Sequence, residues 1–386
     1  MAVFIEWPFI SGSNGRAGSN STADTLGNLY RCFRIPVLVR LKTRLIAFAE
    51  CRGATASGTK PAIGCPGGDH SSVRICNRIS DDDGATWGPL RQVELEAGST
   101  IGNPLAIADE QANLLHLFFT KDNRDIFYTR SRDGGVSFGA RANLTATLKP
   151  WLNGSLWIGA GPSAGAQLLP SGRLVGVANA MDGNRVDHAF SILSDDHGST
   201  WQRGGFVGNA NTTGTGEAAL ALLQSLKGDG PRKPTLAMLL RASDGDSRAP
   251  QVHNRWLTYS EDGGRSWSNA TPALGMDSPS CASSLLSLDS RRLLASSPYG
   301  PSRRNMTLWS GRPPSLPGPS TWTAERQILA GPAGYSSIIR SGSSGSGGGP
   351  VGGATEVLVL FEAGYDDASA GVNNCPYSLA LSRIAV

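Results

Sequence analysis

The sequence predicts an all-β fold, a six-bladed β-propeller of four-stranded antiparallel blades, and three observations carry that prediction. First, one short pattern, Ser-x-Asp-x-Gly-x-(Ser/Thr)-aromatic, occurs four times, at Ser80–Trp87, Ser131–Phe138, Ser194–Trp201 and Ser260–Trp267. Its copies begin 51, 63 and 66 residues apart. Such recurrence marks one supersecondary unit used repeatedly, because units of this size cannot bury their own apolar face alone. Second, 49 Gly and 23 Pro are spread among short β-like runs, and long amphipathic helical patterns are hard to find. Third, a spacing of about 60 residues divides a chain of 386 residues into roughly six units, which suits propeller blades.

Each box reads as a turn joining two antiparallel strands. Its Asp accepts backbone N–H groups, its Gly takes a positive φ, the hydroxyl caps the exit, and the aromatic plugs the turn into the apolar layer beneath. The flanking runs Val73–Ile79 and Asp125–Arg130 alternate with a period close to two, as strands do. Turn chemistry accounts for the box residues, so they are expected to be structural. The run Gly216–Leu223 has helical propensity but falls where the repeat spacing requires a strand, and a strand is expected there. The whole chain, 1–386, reads as one domain. Residues 1–25 read as a flexible lead-in, polar from Ser11 to Thr22, and 341–353 as a Gly/Ser-rich surface loop of the last unit.

A formal net charge of +4, scattered and without Lys/Arg runs beyond doublets, argues against a nucleic-acid groove and is compatible with a small acidic substrate. No apolar stretch reaches the length of a membrane-spanning helix, and the start Met1–Ile10 is too short and carries Glu6 where a signal peptide needs continuous apolarity. Six cysteines in a chain this long do not make a disulfide scaffold. Cys65 and Cys76 can clip one loop, or remain buried thiols like the others. Sequons at Asn20, Asn143, Asn153, Asn211, Asn269 and Asn305 lean toward a lysosomal or secreted location.

One segment stands out chemically. In Phe33-Arg34-Ile35-Pro36 an arginine lies in an apolar strand, where an unpaired guanidinium is strongly destabilising, so an anion must meet it, either an internal carboxylate or a ligand.

Phe-Arg-Ile-Pro ahead of several such boxes resembles the sialidases, or exo-α-neuraminidases, whose fold is a six-bladed β-propeller. The similarity covers nearly the whole chain and is greatest to the lysosomal branch of the animal-type enzymes, through Leu45–Arg52, Gly161–Gly165, Leu193–Gly198, Arg303–Leu308 and Gly331–Ser337. Relatives typically carry Gly after the Pro where this chain has Ser163.

The resemblance implies a clamp of three arginines on the substrate carboxylate, which suits planar, permanently charged guanidinium forks. Arg34 matches the first, Arg241 the second and Arg303 the third, with Arg304 the neighbour that competes for the last role. Glu362 resembles the carboxylate that anchors the first arginine. Tyr335 matches the nucleophile motif and Glu217 its base. A neutral phenol avoids repulsion by the substrate carboxylate on the reacting carbon, and a phenol, which ordinarily titrates at about pH 10, needs a base beside it. Asp69, in a Gly-rich loop, takes the place of the mobile acid/base, with His70 or a residue displaced from elsewhere as the alternatives. Arg52 and Glu50 resemble residues that read the sugar hydroxyl at C4, and Trp157 and Asn103 can line the same pocket.

What the resemblance implies is a retaining exo-α-sialidase acting on sialylated glycoconjugates, with no metal or organic cofactor. Two other readings remain. One is a trans-sialidase using the same site; the other is a non-catalytic propeller that binds a glycan or protein, since fold does not fix function.

Overall fold

The four boxes close on themselves identically in a computed structural model, which describes residues 4–9, 25, 30, 32–53, 73–94, 96–150, 154–168, 171–207, 214–223, 234–242, 255–289, 291–313, 320–342, 355–364 and 378–386. In the first box the Ser80 hydroxyl donates to Asp82 at 2.7 Å and accepts the Gly84 N–H at 2.7 Å, while Asp82 accepts the Thr86 N–H at 2.8 Å and the Thr86 hydroxyl at 2.5 Å. The same four bonds recur in the boxes of Asp133, Asp196 and Asp262. Gly84 holds φ 90, where a side chain is strained. The aromatics Trp87, Phe138, Trp201 and Trp267 each pack against a different apolar cluster, so each turn is fastened to its own part of the core.

Among the described residues the molecule is all-β apart from one helical turn, Thr145–Leu148. Its small, mostly antiparallel sheets are arranged like the blades of a propeller. Cys32–Leu41 packs against Ile101–Asp109, that strand against Arg173–Met181, and the next contacts run through Thr215–Leu222, Ser284–Ser287 and Trp322–Arg340 back to Cys32–Leu41. Six separate four-stranded blades are not what the hydrogen bonds show. Among the described residues there are five sheets, of seven, five, five, four and four strands. The cause is the 19-residue strand Trp322–Arg340, which pairs with Arg304–Gly311 through its first half and with Glu356–Ala363 through its second. One continuous strand thereby joins what the spacing reads as two units.

Two further expectations change. Phe4–Phe9 is not a flexible lead-in but a strand, antiparallel to Ser378–Ala385, so the start of the chain completes the sheet that holds its end. Burial explains it: Ile5 and Trp7 pack on one apolar cluster, and Phe9 lies fully buried in another, 5.3 Å from the Phe33 ring. Asp83, in the first box, reinforces the closure by accepting from Arg40, from Arg383 at 2.9 Å, from Ser341 at 2.6 Å and from the Gly342 N–H at 3.1 Å. Ser341 and Gly342 are therefore anchored, and 343–353 lie outside the described residues.

Cys76 pairs with Cys51 rather than Cys65, which also lies outside the described residues. The register places Cys76 opposite Ala49 and Cys51 opposite Arg74, a diagonal with Cα atoms 6.0 Å apart, within disulfide reach. Thr215–Leu222 forms the strand that the spacing required. Among the described residues, no helix is long and apolar enough to cross a membrane.

The boxes carry a pH signature. Hydrogen bonds from Thr86 hold the Asp82 carboxyl at about 2; for Asp133, burial pushes upward, but Ser137 and Ser131 outweigh it and hold it at about 2 as well. A carboxyl depressed from an unfolded value of about 3.9 stabilises the fold above that pH, and the contribution disappears as pH falls through the folded value. The urea midpoint should therefore fall between about pH 4 and about pH 2, and an Asp82→Asn, Asp133→Asn double variant should show a shallower fall over that window. An equally steep fall in the double variant would remove Asp82 and Asp133 as its cause.

Candidate active site

Four strands of the packing ring carry a break in register at one end: between Arg34 and Val37, Gly102 and Leu105, Thr215 and Ala218, and Ala333 and Ser336. A bulge sets two residues against one and re-aims a side chain, which is why bulges collect beside binding sites. Here the bulged stretches contain Ile35, Asn103, Glu217 and Tyr335. The boxes lie at the opposite end of the strands. Arg34 is in register with Glu50 while Ser80 is beside Leu45, and Arg241 is beside Arg255 while Ser260 is beside Leu236.

Ile35 holds φ 54, although it is β-branched and precedes Pro36, and both features disfavour that conformation. Strain of this kind costs of order 1–3 kcal/mol and persists only where the surroundings over-determine it. Two contacts do so. The Ile35 N–H donates to Glu362 at 2.9 Å, and its side chain is buried against Cys281, Ala282 and Tyr335.

Glu362, at the end of the Glu356–Ala363 strand, is fully buried. It accepts from Arg34 Nε at 3.0 Å and Nη2 at 3.4 Å, from the Ile35 N–H, and from the Tyr335 N–H at 3.1 Å. A Cβ at residue 334 would lie 2.0 Å from Glu362 Oε2, so only glycine fits before Tyr335.

Tyr335 is the hub. Its hydroxyl donates to Glu217 Oε1 at 2.5 Å, and the other Glu217 oxygen accepts from Arg241 Nη1 at 2.7 Å. Arg241 Nη1 also lies 3.3 Å from the Tyr335 oxygen. The Arg34 and Arg303 guanidiniums flank the Tyr335 ring, 5.2 and 5.3 Å from its centroid. Burial pushes the phenol well above its ordinary pKa and the Glu217 charge adds to that, against the pull of Arg241 and Arg303. Tyr335 is thus protonated at rest. Burial likewise pushes the neighbouring Cys281 thiol up to about 11, leaving it neutral.

Arg303 reaches Ser280 O at 3.2 Å, whereas Arg304 is exposed on the next position of its strand. Glu50 and Arg52, two apart and on one face of their strand, are both buried and paired: Arg52 Nε donates to Glu50 at 2.9 Å, and Arg52 Nη2 reaches the same oxygen. Glu50 also accepts the Asn103 N–H at 2.8 Å. The Asn103 amide turns inward to Thr120 at 3.1 Å and Asn123 at 2.7 Å, so its backbone, not its side chain, serves this corner. Trp157 is partly exposed on the Trp157–Gly159 strand. Asp69 and His70 lie outside the described residues. Among the described residues, no group of three or more His, Cys, Asp or Glu is placed to hold a metal ion.

Sequence reasoning missed Ser280, Gly334 and Arg255. Ser280 and Arg255 belong to no local pattern, while Gly334 stands in the motif of Tyr335 but its contact with Glu362 is made across the fold. The bulges left a faint trace, an Ile-Pro and an Asn-Pro step at the same place in two strands, because both residues before proline hold positive φ.

Residues 64–348 match the family described as the BNR repeat-like domain. The chain is 26% identical to Sialidase-4 of Mus musculus, with 90% of each sequence covered. It is 29% identical to an exo-alpha-sialidase of Aspergillus fumigatus over 44% of this chain and 46% of the other, so the match spans less than half of the fungal protein. The solved Trypanosoma rangeli sialidase in complex with sialic acid has the same fold, with a TM-score of 0.67 at 19% identity over 99% of this chain and 59% of that one. The arginine-tyrosine-glutamate cluster thus lies in a chain that belongs to the BNR repeat-like domain family and is similar over most of its length to a sialidase.

Proposed function

We propose that the chain is a retaining exo-α-sialidase that releases terminal sialic acid from glycoconjugates through Tyr335. The observation that carries this reading is the 2.5 Å bond from the Tyr335 hydroxyl to Glu217 among three guanidiniums, because a phenol beside a base, facing fixed cations, suits an anionic sugar. Arg34, Arg241 and Arg303 hold the substrate carboxylate. Asp69 protonates the glycosidic oxygen as its bond to the anomeric carbon breaks. The Tyr335 oxygen bonds to that carbon while its proton passes to Glu217. In the second half, Asp69 takes a proton from water, the water oxygen bonds to the anomeric carbon, the carbon–tyrosine bond breaks, and Glu217 returns the proton to Tyr335. Two inversions leave the configuration retained.

The raised phenol pKa fits these steps: the charge on the nucleophile develops only as Glu217 accepts the proton, so resting Tyr335 does not repel the substrate carboxylate. Glu50, in register with Arg34, and its ion-pair partner Arg52 are assigned to the sugar hydroxyl at C4. For the scaffold, we read the seven-stranded sheet as two blades sharing Trp322–Arg340, which makes six blades; the closed ring of six packed strands supports that count.

Replacing Tyr335→Phe should lower turnover of a fluorogenic sialoside by about 10³-fold or more without changing the far-ultraviolet circular dichroism. Near wild-type turnover would take Tyr335 out of the mechanism. Arg34→Lys should raise the Michaelis constant by an amount equivalent to about 1–3 kcal/mol, since a point charge replaces a fork. An unchanged constant would count against the carboxylate clamp. Glycosyl transfer to a sugar would use the same residues, and product analysis with added lactose separates it from hydrolysis: sialyllactose marks a transferase, free sialic acid a hydrolase.

A further inference from the structure

Two of the three clamp arginines share a partner that lies on no strand. Ser280 accepts the Arg241 Nε–H on its hydroxyl at 2.9 Å and the Arg303 Nη2–H on its carbonyl at 3.2 Å. One residue therefore bridges guanidiniums that arrive from two different sheets. Arg241 closes one strand and Arg303 precedes another, so nothing in the strand registers themselves fixes the distance between their heads.

The stretch that presents Ser280 is tied down from beneath. The Ser278 hydroxyl is bonded to that of Ser297 at 2.6 Å, and Arg255 Nη2 donates both to Pro279 O at 3.1 Å and to Ser297 Oγ at 3.1 Å. On the other side Cys281 is fully buried against Ile35, Ala282 and Tyr335. Ser280 itself is exposed at the site, between two buried neighbours.

Arg255 is the unusual member. It is fully buried and stands directly opposite Arg241 on the adjacent strand. Like charges directly opposite one another weaken a strand pair, and a buried cation is costly unless it is well bonded. Apolar residues of similar volume often fill such buried places without loss of stability. What Arg255 does that an apolar residue cannot is hold Pro279 and Ser297 together, and with them the seat of Ser280.

We propose that Ser280, on a stretch anchored by Arg255, is a positioning residue that sets the separation and aim of Arg241 and Arg303 toward the substrate carboxylate. This rests on the sialidase reading. Because Ser280 is exposed and packs no core, its effect falls on carboxylate binding more than on folding or on the chemical step.

The test uses the full chain carrying Ser280→Ala or Ser280→Thr, assayed for kcat and KM with a fluorogenic sialoside, for Kd of the unsaturated sialic-acid analogue by calorimetry, and for thermal midpoint. Ser280→Ala should raise KM and Kd together by about fivefold to tenfold, with kcat changed by less than about twofold and the thermal midpoint unchanged. Ser280→Thr, which keeps the hydroxyl, should restore both. If the wild type binds the analogue and Ser280→Ala binds it equally well, the positioning role is overturned while the sialidase reading stands. Loss of kcat and thermal stability without a change in Kd, or failure of Ser280→Thr to restore binding, overturns it too, by showing a merely structural part. A wild type that neither cleaves the sialoside nor binds the analogue removes the sialidase reading itself, and this proposal with it.

Discussion

The end of the sheets that carries the arginine-tyrosine cluster depends on one buried carboxylate. Glu362 is fully out of solvent and accepts from the Arg34 guanidinium and from the backbone N–H groups of Ile35 and Tyr335. A buried charge is tolerated only when it is paired and its lone pairs are used, and both conditions are met here. The consequence reaches both ends of the chain. The same carboxylate holds the first arginine, steadies the strained φ of Ile35 and fixes the backbone that carries the phenol. Gly334 leaves room for it, since any side chain there would collide with the Glu362 oxygen.

The electrostatics around Tyr335 follow from that frame. Arg34 and Arg303 flank its ring, and Arg241 approaches its oxygen. Glu362 balances Arg34, and Glu217 balances Arg241 while also receiving the phenol's hydrogen bond. The cluster is thus held in place by contacts within the protein itself. Preorganised charge of this kind avoids reorganisation at the moment of reaction, where electrostatic effects are largest.

Strain, bulges and boxes divide the labour between the two ends of the sheets. The boxes put regular, self-satisfied turns at one end, each plugged into its own apolar cluster. The bulges disrupt the ladders at the other end and turn the side chains of successive strands out of the plane that plain pleating would give them. A rigid end thereby supports an irregular one, and closure through Phe4–Phe9 and Asp83 keeps the packing ring from opening.

The sequence alone was enough for the box turns, the all-β class and the need of Arg34 for an anion, because turn chemistry acts within eight residues and because an arginine in an apolar strand demands an anion wherever it is; the other site residues were legible only through the resemblance to a family. Tertiary structure decided the rest. The Cys51 partner of Cys76, the strand formed by Phe4–Phe9, the shared strand Trp322–Arg340, the inward turn of Asn103 and the bridge made by Ser280 are all contacts between residues distant in the chain or choices of register between strands. Their energies exist only once the sheets have closed on one another, so no local pattern of residues records them.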